Sequence, residues 1–223
     1  MNWKTRFLGA VLFTTGLFYP AFAQITLPED EDIQSWNDIQ LTLPVTEKVD
    51  INLTTTYRFG KNLTRLNEGR VGAGLGVKLH KSFTISGGYT FIKARTLAGG
   101  FRNENRYHLA GTYKFPFKKF GLSHRSQYEY RDLGPVKVWR YRPSITFEKE
   151  LPESWLSGTS FFVTEDPFYS SATGDFARNR LSLGLKKTVN QHLSIDVYYL
   201  RQNDKYAIPG DVNVIGTAWK FKL

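Results

Sequence analysis

Val49-Asp50-Ile51-Asn52-Leu53-Thr54-Thr55-Thr56-Tyr57-Arg58-Phe59 is the stretch that decides the fold. Successive side chains of an extended strand point to opposite sides of a sheet, so its odd and even positions form two faces. Val49, Ile51, Leu53, Thr55, Tyr57 and Phe59 make one face apolar. Asp50, Asn52, Thr54, Thr56 and Arg58 make the other polar. The segment is a strand between two different surroundings.

The same rhythm continues from there in both directions. Arg70–Leu79 sets Val71, Ala73, Leu75, Val77 and Leu79 against Arg70, Gly72, Gly74, Gly76 and Lys78. Phe83–Phe91, Arg106–Phe115, Phe120–Arg131, Trp139–Glu148, Thr159–Glu165, Arg180–Lys186, Leu193–Arg201 and Asn213–Leu223 read alike, and a shorter segment, Trp36–Leu43, leads the series. Eleven strands are predicted. Short turns fall near 44–48, 80–82, 116–118, 150–154 and 187–191, with mostly longer polar links at 60–69, 93–105, 132–137, 166–179 and 202–212. Short turns at one end and long loops at the other are the layout of an outer-membrane barrel with periplasmic turns.

A soluble sandwich also alternates, so ring placement is the independent test. Barrels in lipid set aromatic rings at the two water interfaces and aliphatic side chains between them. Tyr57, Phe59, Tyr89, Phe91, Tyr107, Tyr128, Tyr130, Trp139, Tyr141 and Tyr199 fall at the loop ends of the apolar faces. Phe83, Tyr113, Phe115, Phe120, Phe147, Trp219 and Phe221 fall at the turn ends, with Leu53, Leu75, Ile85, Leu109, Leu122, Ile145, Leu183 and Ile195 between. A sandwich core has no reason to sort rings by height. The expected fold is all-β, a transmembrane antiparallel up-and-down barrel of 10–12 strands. His124 and Ser126 interrupt the apolar face of their strand. A β-bulge that shifts the phase is the preferred explanation, and a covering protein contact is the alternative.

The N-terminus carries the layout of an export signal. Lys4 and Arg6 are followed by the apolar run Phe7–Tyr19 and by Ala21-Phe22-Ala23, a small-x-small cleavage site. A membrane helix is the weaker reading, since the run is short and contains Gly9, Gly16 and Pro20. Residues 1–23 are therefore expected to be removed, leaving an acidic segment 24–34 and a barrel domain 35–223. The chain of 223 residues has no cysteine. That excludes a disulfide scaffold and a thiolate metal site and gives no residue to lipidate after the cleavage site. Its mean hydropathy of −0.37 fits a barrel in which only alternate residues meet lipid. The formal charge is +10, or +8 without Lys4 and Arg6. In an exported protein that charge points to lipopolysaccharide phosphates or small anionic solutes and away from nucleic acid.

The polar faces would line a lumen. Arg58, Arg70, Arg106, Arg131, Arg140, Arg142 and Arg180 cluster toward the loop ends of their strands, and Glu129 is the clearest acid at that height. Guanidinium groups with few counter-charges inside a low-dielectric wall attract anions. A lumen braced by hydrogen-bonded arginines is the alternative, and the preferred one. Eleven strands put the chain ends at opposite mouths, whereas bacterial barrels usually have an even count. Either one segment is misread, or residues 24–35 thread the barrel; twelve extended residues span about 40 Å. Glu29-Asp30-Glu31-Asp32 would then meet the arginines as a plug, the alternative being a solvated tail.

Catalysis is not expected. A lipid hydrolase of this class would need a Ser/His pair on the lipid side. His124 and Ser126 share that face but lie two residues apart on one strand, about 7 Å, too far for a direct hydrogen bond. His80 and His192 sit by turns and His108 points inward. No metal or cofactor motif is present, and Gly72, Gly74 and Gly76 read as small lumen positions.

Tyr57-Arg58-Phe59, Asn179-Arg180-Leu181-Ser182-Leu183-Gly184 and the regular tail together resemble the DUF2490 family. The resemblance spans essentially the whole mature chain and implies a bacterial outer-membrane barrel with no catalytic residues to carry over. The ending Trp219-Lys220-Phe221-Lys222-Leu223 resembles the terminal signal read by the barrel assembly machinery, with Leu in place of the usual aromatic. The expected function is a small passive pore or binding barrel with a cationic vestibule. A structural or adhesion barrel with a filled lumen is the alternative, and a lipid-modifying enzyme the least expected.

Overall fold

The computed structural model describes residues 30–223; the predicted leader and residues 24–29 lie outside that range. All eleven expected strands form, most of them reaching further than alternation alone indicates. They are β1 (Glu31–Pro44), β2 (Val49–Gly60), β3 (Arg65–His80), β4 (Phe83–Arg95), β5 (Phe101–Phe115) and β6 (Gly121–Asp132), followed by β7 (Lys137–Glu150), β8 (Thr159–Ser170), β9 (Asp175–Asn190), β10 (Leu193–Asp204) and β11 (Asp211–Lys222). One short helix, α1 (Glu153–Leu156), lies in the β7–β8 link.

Consecutive strands pair antiparallel, and the sheet closes when β1 pairs with β11 in parallel, from Glu31↔Asp211 to Thr42↔Lys222. The odd count is real. No segment is misread; residues 31–35 form the start of β1 in the wall and do not thread, and 24–29 lie outside the described residues. Chain entry and exit lie at opposite mouths, here named the N-terminal and C-terminal mouths.

Two expectations change. Arg65–Gly69, Phe101–Asn105, Asp166–Ser170 and Asp175–Asn179 extend strands and are not loops, so the links at the N-terminal mouth shrink to 61–64, 96–100, 133–136, 171–174 and 205–210. The links at the other mouth include 116–120 and 151–158, so loop length does not distinguish the ends. Near the mouth polar residues such as Asn103, Asn105 and Asn179 enter the outer face, and register shifts at Arg58/Phe59 and Phe168/Tyr169 break the phase, so alternation fades while the ladder continues. The second change concerns the acidic segment. Glu31 and Asp32 belong to β1, and Asp30 accepts a hydrogen bond from the Gly210 amide at 2.7 Å. These three sit at the rim and do not plug the lumen; Glu29 lies outside the described residues.

The outer face is the apolar one. Leu53, Leu75, Leu109, Ile145, Leu183, Val197 and Ile215 are all exposed on it. Rings occur in two rows. At the N-terminal mouth Tyr89, Tyr107, Tyr130 and Trp139 follow one another at centroid distances of 5.2, 6.3 and 4.8 Å. At the C-terminal mouth Tyr113, Phe115, Phe117, Phe120 and Phe147 run at 5.1, 6.1, 4.8 and 5.4 Å. Inside, Trp36, Leu200, Val212 and Val214 form a small apolar core against Tyr198 where β10 and β11 meet β1. Where β3 meets β4 the inner face carries small residues, Gly72, Gly74, Gly76, Ser86 and Gly88. A Cβ at Gly88 would stand 2.6 Å from the Ala73 carbonyl. The close approach of β3 to β4 therefore requires glycine there.

Candidate functional site

Every arginine singled out from the sequence lies on the inner face, toward the N-terminal mouth. Their partners, Glu129 apart, are what the sequence reading missed. Glu104 accepts from Arg106 at 2.6 Å and from Arg131 at 2.7 Å. Glu68 takes Arg70 and, at 3.3 Å, Arg58. Glu129, 1% exposed, binds Arg140 and, at 2.7 Å, Arg142, and Arg142 continues to Asp166. Arg180 instead donates to Gln202 at 2.8 Å. The expectation of few counter-charges is therefore corrected: six of the seven are ion-paired. Buried carboxylates on neighbouring strands hold the guanidinium groups and fix their geometry through charge-assisted hydrogen bonds.

Two inward rings pack among these arginines. Trp36, 4% exposed, carries the Arg58 guanidinium 3.5 Å from its ring centroid and that of Arg180 at 4.7 Å. Phe168, 2% exposed, is surrounded by Arg142 at 4.2 Å, Arg180 at 4.8 Å, Arg140 at 5.3 Å and Arg178 at 5.7 Å. The electron-rich faces of the rings attract these cations while their bodies fill the lumen. Phe168 escaped the sequence reading because Pro167 and a register shift after Phe168 break the alternation there.

Above these ion pairs the N-terminal mouth opens into a cavity of about 790 Å³. Arg58, Lys61, Arg65, Arg95, Arg102 and Arg178 line it, against Glu31, Asp32 and Glu68. That is six cations to three acids. Arg58 Nε, at the floor, is buried without a hydrogen-bond partner among the described residues. The rim is fixed by Asp32, whose carboxylate accepts from the Lys61 amide at 3.1 Å and the Asn62 amide at 2.8 Å. Lys61, Asn62 and Leu63 all have positive φ. In that left-handed region Cβ crowds the following carbonyl oxygen, so each of these non-glycine residues is strained.

On the outer wall, β6 pairs with β5 and β7 without any register shift, so the expected bulge is absent and His124 and Ser126 do face outward. The distance expectation is also corrected. The side chains lean toward each other along the strand, bringing His124 Nε2 to 3.0 Å from Ser126 Oγ, which lies 3.1 Å from the Tyr141 hydroxyl. Among the described residues no group of three potential metal ligands occurs.

An uncharacterised protein of Methylorubrum extorquens is similar to this chain, 22% identical over 161 residues, 69% of this chain and 71% of that one. Among solved structures, the anion-selective porin from Comamonas acidovorans is similar at a TM-score of 0.40 and 11% identity, covering 81% of this chain. The chain spans about half of that porin (54%). The KdgM porin is similar at a TM-score of 0.44 and 10% identity over 78% of this chain and 92% of its own. A family model described as a protein of unknown function, DUF2490, matches residues 33–213, nearly the whole barrel from β1 into β11, and the chain belongs to that family.

Proposed function

We propose that this chain is an outer-membrane barrel whose N-terminal mouth faces outward and takes up small acidic solutes. The membrane reading rests on the apolar outer face and its two belts of rings, which a water-facing wall would not sort by height. The orientation rests on the tail Trp219–Leu223, offered to the assembly machinery from the periplasmic side, and on the export signal. Lipopolysaccharide is the proposed neighbour of the outward rim, where Lys93 and Arg95 lie over the Phe101 ring.

The observation that carries the solute reading is the excess of cations lining the 790 Å³ vestibule. Its volume is that of an ordinary small-molecule site. The arginines beneath are held in ion pairs and against rings, Arg140 and Arg142 almost out of reach of solvent, so selectivity is assigned to the vestibule groups and not to those two. Single-channel recording in a salt gradient tests this. Anion preference should weaken in Lys61→Glu/Arg102→Glu; an unchanged reversal potential would reject the assignment. The second reading, a structural barrel, is favoured by the ring-and-arginine packing that fills the lumen, and a silent bilayer would select it.

A further inference from the structure

Two regions of the outer wall do not suit hydrocarbon: a small group at the β1–β11 closure, where Ser35, Asn37 and Thr217 hydrogen-bond to one another, and a larger strip on β6 to β9 that carries the ionisable residues. Directly beneath the belt rings Tyr128, Tyr141 and Tyr169 stand Ser126, Pro143 and Pro167, and one step further His124, Ile145 and Glu165. Glu165 points outward and accepts a hydrogen bond from Asn179 at 2.7 Å. His124, Ile145 and Glu165 share one register row across β6, β7 and β8. Between the belt and that row the β7–β8 ladder lapses, from Tyr141↔Tyr169 to Ile145↔Glu165. Pro143 and Pro167 fall in the gap, and proline has no amide to donate. A carboxylate, an imidazole and an interrupted ladder are each costly against lipid tails. The rest of the belt-to-belt wall is largely aliphatic.

We propose that this strip from β6 to β9 is the contact face of a symmetric dimer of this chain, centred on β7. The inference rests on the outer wall facing lipid. A second copy is the occupant because the strip is complementary to itself. Its β6 end presents His124 and Ser126, hydrogen-bonded to Tyr141 on β7, and its β8–β9 end a carboxylate and an amide, on either side of Ile145. A two-fold axis beside β7 brings each end onto the other end of the second copy, making every contact twice. His124 and Tyr141 then donate to Glu165 across the interface, and the two prolines are covered by protein.

The chain has no cysteine, so one can be placed at will. Ile145→Cys lies at the proposed axis and Leu75→Cys lies on β3, away from the strip; both positions are exposed outward (46% and 54%). With a short bis-maleimide in membranes, Ile145→Cys should give a covalent dimer and Leu75→Cys should not. Adding His124→Leu and Glu165→Leu to Ile145→Cys should lower the yield roughly tenfold, the loss expected for two reciprocal polar contacts in a membrane. Heat-shifted gel mobility checks that the variant is folded, and Glu165→Gln serves as the milder substitution. Equal yields at positions 75 and 145, monomer at both, or a yield indifferent to both substitutions would overturn the dimer. An Ile145→Cys protein found in the soluble fraction would overturn the membrane reading with it.

Discussion

Arg140 donates to Glu129 through both Nε, at 2.8 Å, and Nη2, and both side chains are nearly inaccessible. The two residues face each other in register on β7 and β6, so the pair joins neighbouring strands from inside the barrel. The same relation, arginine on one strand and carboxylate on the next, recurs around the N-terminal half of the lumen.

Removing one side of this pair leaves an uncompensated buried charge. Glu129→Ala should therefore destabilise the barrel by roughly 3–5 kcal/mol, whereas Glu129→Leu combined with Arg140→Leu should cost markedly less than the sum of the two single changes. Urea unfolding in lipid, followed by gel mobility, measures both. Additive costs would mean that the pair is not coupled.

Asp32 should govern the β2–β3 turn. In Asp32→Ala the amides of Lys61 and Asn62 lose their acceptor, and three residues with positive φ lose their clamp. Hydrogen exchange at 60–64 should accelerate while exchange in β6 and β7 stays unchanged. Equal exchange at 60–64 in both proteins would contradict the clamp.

Gly88→Ala should impair barrel formation, because the added Cβ meets the backbone carbonyl of Ala73 at 2.6 Å. Gly69→Ala on the neighbouring strand is the control, since nothing lies within 4 Å of its Cβ position. The yield of heat-shifted, folded protein compares them; equal yields would refute the packing claim.

The strand segments that cross between the belts were legible in the sequence, because Val49–Phe59 and its counterparts meet two different surroundings and must alternate. What lay beyond the belts was not. Glu68, Glu104 and Asp166 fall in stretches that read as loops, since near the mouth polar residues enter the outer face and register shifts break the phase. With Glu129, those three residues are the counter-charges of the arginines, so the same physical cause that hid the strand ends made the lumen look more cationic than it is. The His124–Ser126 contact was missed for a different reason: backbone spacing sets a distance between Cα atoms, and side chains can close it.

The central claim is that the outer wall faces lipid and that Trp36 does not. Brominated lipids, with the bromine at chosen depths, test this in proteins retaining a single tryptophan at 36, 139 or 219. Fluorescence of Trp139 and Trp219 should be quenched most by bromines near the interface and that of Trp36 little at any depth. Quenching of Trp36 as strong as that of Trp139, or no quenching of Trp139 and Trp219 at all, would contradict it.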